Sequence, residues 1–148
     1  MAEESRSRTL LRILFDVNVL LDVVLNREPY VRSAARLLAA VETGQLNGLV
    51  SAVTAPTIHY IVQRERNRDQ SLVAIRLLLE ICEVAPVTRA VLVDALAIGF
   101  DDYEDAVQHE AARHALADGI VTRNVGDFKP ATLAVYTPDQ LLQVVGRQ

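Results

Sequence analysis

Apolar residues along this chain fall into two rhythms, short unbroken runs and longer stretches at helical spacing. The run Arg12-Ile13-Leu14-Phe15 closes on Asp16, the pattern of a strand buried on both faces whose carboxyl end delivers a side chain into a cleft. Gly48–Val50, Glu83–Val87, Ile120–Thr122 and Ala134–Tyr136 predict four further short strands. Between them the period changes. Val17–Leu25 reads as a short helix that Asn26-Arg27-Glu28-Pro29 breaks, and Tyr30–Thr43 carries apolar residues at 31, 34, 35, 37, 38 and 41 before Gly44 stops it.

Polar residues mark the remaining helix ends. Thr54 is a suitable N-cap for a helix that tolerates Pro56 within its first turn. Asp69 is expected to cap the next helix, whose apolar positions 72, 73, 75, 77, 78, 79 and 81 predict a wide face buried on both sides. Thr88 caps a helix carrying Val91, Leu92, Ala95, Leu96 and Ile98, closed by Gly99. Asp101 or Asp102 opens a long helix through Ala117, ended by Asp118-Gly119, and Thr137-Pro138-Asp139-Gln140 is a capping box with proline at the first helical position.

Strands separated by helices indicate a parallel sheet, because parallel neighbours need crossover connections. The expected fold is α/β, a three-layer α/β/α sandwich around a central, mostly parallel sheet. The 148 residues suit a single domain over 11–148 behind a flexible tail at 1–10. No internal repeat interrupts that plan.

Composition narrows the function classes. With 51% hydrophobic and 23% charged residues the chain is globular rather than disordered. No apolar run approaches the ~18–20 residues of a membrane span, and the first residues lack a signal peptide's apolar stretch. Cys82, the single cysteine, offers neither a disulfide nor a cysteine zinc cluster, and packing inside a helix end suits it better than nucleophilic work; a cytoplasmic protein is expected. The net charge of -4 argues against broad coating of a nucleic acid, so any RNA contact must be local. Arg64, Arg66 and Arg68 could make one, or could simply form a solvated helix end.

In open α/β sheets ligands bind beyond the carboxyl ends of the strands. Asp16 follows the first strand, Asp127 lies in the loop after Ile120–Thr122, and Asp105 sits in the first turn of the helix beginning near Asp102. Carboxylates gathered at one point repel unless a cation neutralises them, and an oxygen-rich set suits Mg²⁺ or Mn²⁺. Asp102 and Asp105 are three apart and share a helix face, whereas Glu104 is turned away. The competing explanation is that these acids only cap the helix. The histidines show no ligand spacing on a common face, His109 and His114 being five apart; His59, nearest the expected cleft, is the one worth testing.

Taken together, Phe15-Asp16-Val17-Asn18-Val19-Leu20-Leu21-Asp22, Asp102-Tyr103-Glu104-Asp105-Ala106-Val107 and Thr122-Arg123-Asn124-Val125-Gly126-Asp127-Phe128 resemble the PIN-domain family in order and spacing, over about Ile13 to Leu142. In size the chain is similar to stand-alone members such as the VapC-type toxins. The resemblance implies a metal-dependent endoribonuclease in which Asp16, Asp105 and Asp127 match the family's Mg²⁺- or Mn²⁺-binding acids, with Asp102 as an accessory ligand. It also implies hydrogen bonding within the site by Asn18 and Thr122 and shaping of the Asp127 loop by Asn124; Arg123, beside the acidic loop, is by its position the better candidate for a substrate contact than Arg64, Arg66 and Arg68. A cognate antitoxin would cover the acidic cleft with a basic side chain, and Leu37, Leu38, Leu77 and Leu78 could support a homodimer, although core burial explains them equally well.

One position departs from the family. Many members carry a glutamate where this chain has Thr57. Either Asp102 or Glu104 compensates, or the site holds one ion, or activity is weak, and a catalytically weakened RNA- or protein-binding module is the alternative function. Asp16-Val17-Asn18 also resembles the opening motif of haloacid-dehalogenase-type phosphatases, but position 18 is not an acid and Lys129 follows Asp127 too closely to serve as their lysine.

Overall fold

The computed structural model describes residues 10–147; the expected tail over 1–10 lies, apart from Leu10, outside the described residues. In chain order the elements are β1 (Arg12–Phe15), α1 (Val17–Val24), α2 (Val31–Glu42), β2 (Asn47–Ser51), α3 (Thr54–Glu65), α4 (Arg68–Ile81), β3 (Glu83–Ala85), α5 (Arg89–Ala97), α6 (Tyr103–His114), β4 (Gly119–Val121), a 3₁₀ turn (Val125–Phe128), β5 (Ala134–Tyr136) and α7 (Pro138–Gly146).

The strands pair in the order β3-β2-β1-β4-β5, every pairing parallel. Their alternating side chains divide the core. Ile13 and Phe15 of β1, with Val50 and Val121, meet Leu20, Leu37, Ile58, Val62 and Leu141 of helices on one face. Leu14, Leu49, Ala85 and Ile120 meet Val91, Ala95, Ala106 and Ala111 of α5 and α6 on the other. This is the expected α/β/α sandwich. Chain order reverses at β1, whose neighbours β2 and β4 lie on opposite sides, so the carboxyl ends of β1 and β4 form the switch point at which open α/β sheets bind ligands.

Small residues set the close contacts. A Cβ on Gly119 would stand 2.8 Å from the carbonyl oxygen of Ala134 and 3.0 Å from Tyr136 Cε2, so β4 and β5 approach only because position 119 has no side chain. Gly119→Ala is therefore expected to cost about 1–3 kcal/mol in urea unfolding. Gly126→Ala, which meets nothing within 4 Å, serves as the control and should remain close to wild type.

Helix caps agree with the sequence reading at Thr88, Asp102 and Thr137, each side chain accepting from the backbone N–H three residues on. Three ends differ. Asn67, not Asp69, caps α4 by accepting from Gln70 N–H, which leaves Asp69 in the first turn beside the positive end of the helix dipole. Thr54 is the first residue of α3 rather than its cap, and it is buried. Helix α6 stops at His114, before Asp118-Gly119: Leu116 takes a left-handed φ of 61°, and Ala117 N–H donates back to the Ala112 carbonyl at 2.9 Å.

The largest difference is α4. The expected burial on both sides is absent: only Ser71 and Leu78 are buried, and Val73, Leu77 and Leu79 are about half exposed. Helix α4 packs mainly on α3, and among the described residues no further layer covers its outer face. Its outer face, with Val23, Val24 and Leu38, lines an open apolar groove of about 690 Å³ rimmed by Glu42, Asp69 and Glu80. Of the four leucines open to either role, Leu37 and Leu78 belong to the core. Leu38 and Leu77 line the groove.

Candidate metal centre

Asp16 is the first residue beyond β1 and the N-cap of α1. Its backbone is extended, its N–H donates to Val121 O at 3.0 Å, and its carbonyl accepts from Val19 N–H at 3.0 Å. Strand pairing on one side and helix initiation on the other thus fix a buried carboxylate at the switch point. Thr122 Oγ1 donates to Asp16 Oδ2 at 2.8 Å, and Gln108 Nε2 donates to Oδ1 at 3.1 Å. Each oxygen keeps lone pairs for a further partner.

The Thr122 hydroxyl works in both directions, since it also accepts from Asn124 N–H at 3.1 Å. Asn124 O in turn accepts from Asp127 N–H at 3.0 Å, closing the 3₁₀ turn that carries the exposed Asp127. Phe128 anchors that turn in the core by an edge-on contact with Phe100, ring centroids 5.5 Å apart. Asn124 takes part in this loop through its backbone N–H and carbonyl.

Asp105 lies in the first turn of α6, three residues before Gln108 and so on the same helix face. Burial, followed by the charges of Asp16, Asp102, Asp127 and Glu104, pushes its carboxyl up to about 7. Asp105 thus feels the charges of Asp16, Asp102 and Asp127 together. Asp102 is also the cap of α6, its Oδ1 accepting from Asp105 N–H at 3.1 Å, so the capping explanation and proximity to the site hold together.

Other expected residues stand differently. The Thr57 hydroxyl donates to Val53 O at 3.0 Å, one turn back along α3, and Asn18 is half-buried in the first turn of α1. Arg123 turns to Asp22: its Nε lies 2.8 Å from Oδ2, and its guanidinium stacks over Tyr30 at 4.0 Å from the ring centroid. His59 Nδ1 pairs with Ser71 Oγ at 2.7 Å, tying α3 to α4. Of the three arginines, Arg66 donates to Leu25 O at 3.0 Å and Arg64 lies over Tyr60, both local packing roles.

The sequence model of the PIN domain matches residues 12–126. The chain belongs to the PIN-domain family. No curated protein sequence matches it. Solved structures of similar fold include VapBC2 from Rickettsia felis bound to a promoter DNA fragment, at 14% identity, 86% coverage of this chain, 98% of that chain and a TM-score of 0.67. A toxin-antitoxin complex from Klebsiella pneumoniae matches at 21% identity, 85% and 97% coverage and a TM-score of 0.65. Mycobacterium tuberculosis VapC20, a Sarcin-Ricin loop cleaving toxin, matches at 14% identity, 73% and 86% coverage and a TM-score of 0.59. At these identities the likeness establishes the fold of this PIN domain.

Asp16, Asp102, Asp105 and Asp127 offer this PIN domain the oxygen donors that a hard divalent ion takes, and their repulsion, after burial, raises the Asp105 carboxyl. Their spacing is loose: among the described residues, the group of three His, Cys, Asp or Glu ligand atoms found within 4.8 Å of one another lies elsewhere, at Asp94, Glu110 and His114. Open spacing suits Mg²⁺, which keeps several waters between itself and its protein ligands.

Two residues around the site escaped the sequence reading. Gln108 is signalled only by its offset of three from Asp105, and Asp22 only by its place on α1 six residues beyond Asp16. Both are buried polar groups that become legible when their partners are placed.

Proposed function

We propose that this PIN domain is a metal-dependent endoribonuclease, the toxin of a toxin-antitoxin pair. The observation that carries the reading is the convergence of Asp16, Asp105 and Asp127 at the switch point of a parallel sheet, with Asp105 pushed up to about 7 by burial and by its acidic neighbours. Membership of the PIN family and the fold shared with toxins of such pairs support it.

Asp16, Asp105 and Asp127 would hold Mg²⁺ or Mn²⁺, with Asp102 as an accessory. The ion supplies charge neutralisation at the scissile phosphate and a more acidic water. Thr122 and Gln108 would hold the Asp16 carboxylate in place while leaving lone pairs for the ion, and Asn124 would shape the turn that carries Asp127. Asn18, at the mouth of α1, serves as a polar contact within the site. Arg123 places positive charge beside the acidic loop, where an RNA phosphate would lie.

Hydrogen-bond partners of metal ligands typically contribute 10–100-fold to metal affinity or activity. Thr122→Val keeps the side chain's shape but leaves Asp16 Oδ2 without its donor, and should lower the cleavage rate by about that factor while the chain stays folded.

An antitoxin would sit over the acidic cleft and contribute a basic side chain. The apolar groove between α2 and α4 offers further area for a protein partner, and Leu38 and Leu77 within it are the residues a homodimer could use instead. One observation favours a weakened binding module: the Thr57 hydroxyl is engaged by Val53 O, so position 57 of α3 brings no carboxylate to the site. The test is to incubate the purified chain with labelled RNAs in Mg²⁺, Mn²⁺ or EDTA, beside Asp16→Asn. Cleavage that requires metal and vanishes in the variant supports the nuclease. Intact RNA in every lane, with RNA still bound, makes the binding module the better reading.

A further inference from the structure

Among the described residues, three buried side-chain polar atoms have no hydrogen-bond partner: Asp22 Oδ2, Arg123 Nε and Gln108 Oε1. The first two face each other at 2.8 Å as an ion pair. Gln108 Oε1 has no such counterpart. Gln108 is 1% exposed and lies on the face of α6 that carries Asp105, and its Nε2 donates to Asp16 Oδ1 at 3.1 Å. The amide therefore sits against the acids with one end engaged and the other open. Turning it over offers no relief, because Oε1 would then meet Asp16 Oδ1, a carboxylate oxygen with no hydrogen to give. An acceptor left without a donor inside a protein costs stability, and native structures rarely keep one unless a water completes it.

The ion assigned to the acids brings such donors with it. Mg²⁺ keeps several of its waters where protein oxygens are few. They are few here, since the Thr57 hydroxyl donates back to Val53 O and α3 adds no carboxylate, while the acids form no tight ligand group. Each retained water carries two hydrogens that seek acceptors.

We propose that Gln108 is a positioning residue of the metal centre through both ends of its amide: Nε2 holds Asp16, and Oε1 accepts from a water of the ion's hydration shell. The inference rests on the metal-dependent reading above. A neutral amide suits the place better than a further carboxylate, because it anchors Asp16 by donation, still offers an acceptor, and adds no charge to acids that already repel.

The test is Mg²⁺ titration of the isotope-labelled full chain by NMR, following the side-chain carbonyl of Gln108, identified by its absence from Gln108→Met. That signal should move downfield and saturate with the same midpoint as the backbone amides of Asp105 and Asp127. Gln108→Met, close in volume, should weaken Mg²⁺ binding at least ~10-fold, and Gln108→Glu, which restores an acceptor but not the donor, should recover part of the loss. If the Asp105 and Asp127 amides respond while the Gln108 carbonyl stays still, or if Gln108→Met leaves the affinity unchanged, the proposal is overturned and the metal reading stands; the partner of Oε1 is then a water resident without the ion. No response at any of these positions would overturn both.

Discussion

Asp105→Asn is expected to lose RNA cleavage by at least ~10²-fold, since even the outer partners of metal ligands contribute up to that much, while the metal-free protein becomes harder to unfold. Function and stability oppose each other at this position. Burial and the charges of Asp16, Asp102, Asp127 and Glu104 raise the folded-state carboxyl from 3.8 to about 7. Over that pH range the folded chain binds more protons at Asp105 than the unfolded chain does, so its contribution to stability is present at low pH and is lost as pH rises toward and through 7. Asparagine is neutral throughout. Thermal unfolding in EDTA should therefore show the variant above wild type at pH 7.5, the gap closing below pH about 4. Saturating Mg²⁺ should raise wild type and leave the variant nearly unmoved.

Arg123→Ala is expected to destabilise the fold by about 3 kcal/mol, the lower end for breaking a buried ion pair by removing one partner. Asp22 is fully buried against Arg123, whose side chain keeps 22% of its surface exposed. Burial raises the Asp22 carboxyl despite Arg123 and Arg27, and Arg27 at 3.9 Å is a distant substitute. Arg123 Nη2 donates to Asp22 Oδ1 at 3.2 Å, while the second approach, Nε to Oδ2 at 2.8 Å, is an ion-pair contact without a directed hydrogen bond. A matched apolar pair, Asp22→Leu with Arg123→Met, should recover most of the loss in urea unfolding. This bears on the assigned role. Lost cleavage in Arg123→Ala could reflect unfolding, whereas lost cleavage in the recovered double variant would reflect the missing charge at the crevice.

What could be read from the sequence was local. The run Ile13–Phe15 with Asp16 at its end, the caps at Thr88, Asp102 and Thr137, and the left-handed Gly44 each announce themselves within a few residues, because backbone hydrogen bonding decides them. The acids were legible for a related reason: in a parallel sheet the ends of β1 and β4 must lie side by side. Partners across the fold were not. Nothing near Asp22 in sequence signals Arg123, and nothing near Asp16 signals Gln108. The apolar positions of α4 predicted burial because periodicity shows which residues are apolar, not whether a second layer covers them. Leu116 ended α6 against expectation, since a non-glycine residue at φ 61° leaves no compositional trace.

The most direct measurement is titration of Mn²⁺ into the wild-type chain and Asp105→Asn, with unbound ion followed by electron paramagnetic resonance. The account predicts saturable binding at millimolar concentrations or tighter in wild type, lost in the variant. Equal binding by both proteins, or none by either, would contradict a metal held by Asp16, Asp105 and Asp127.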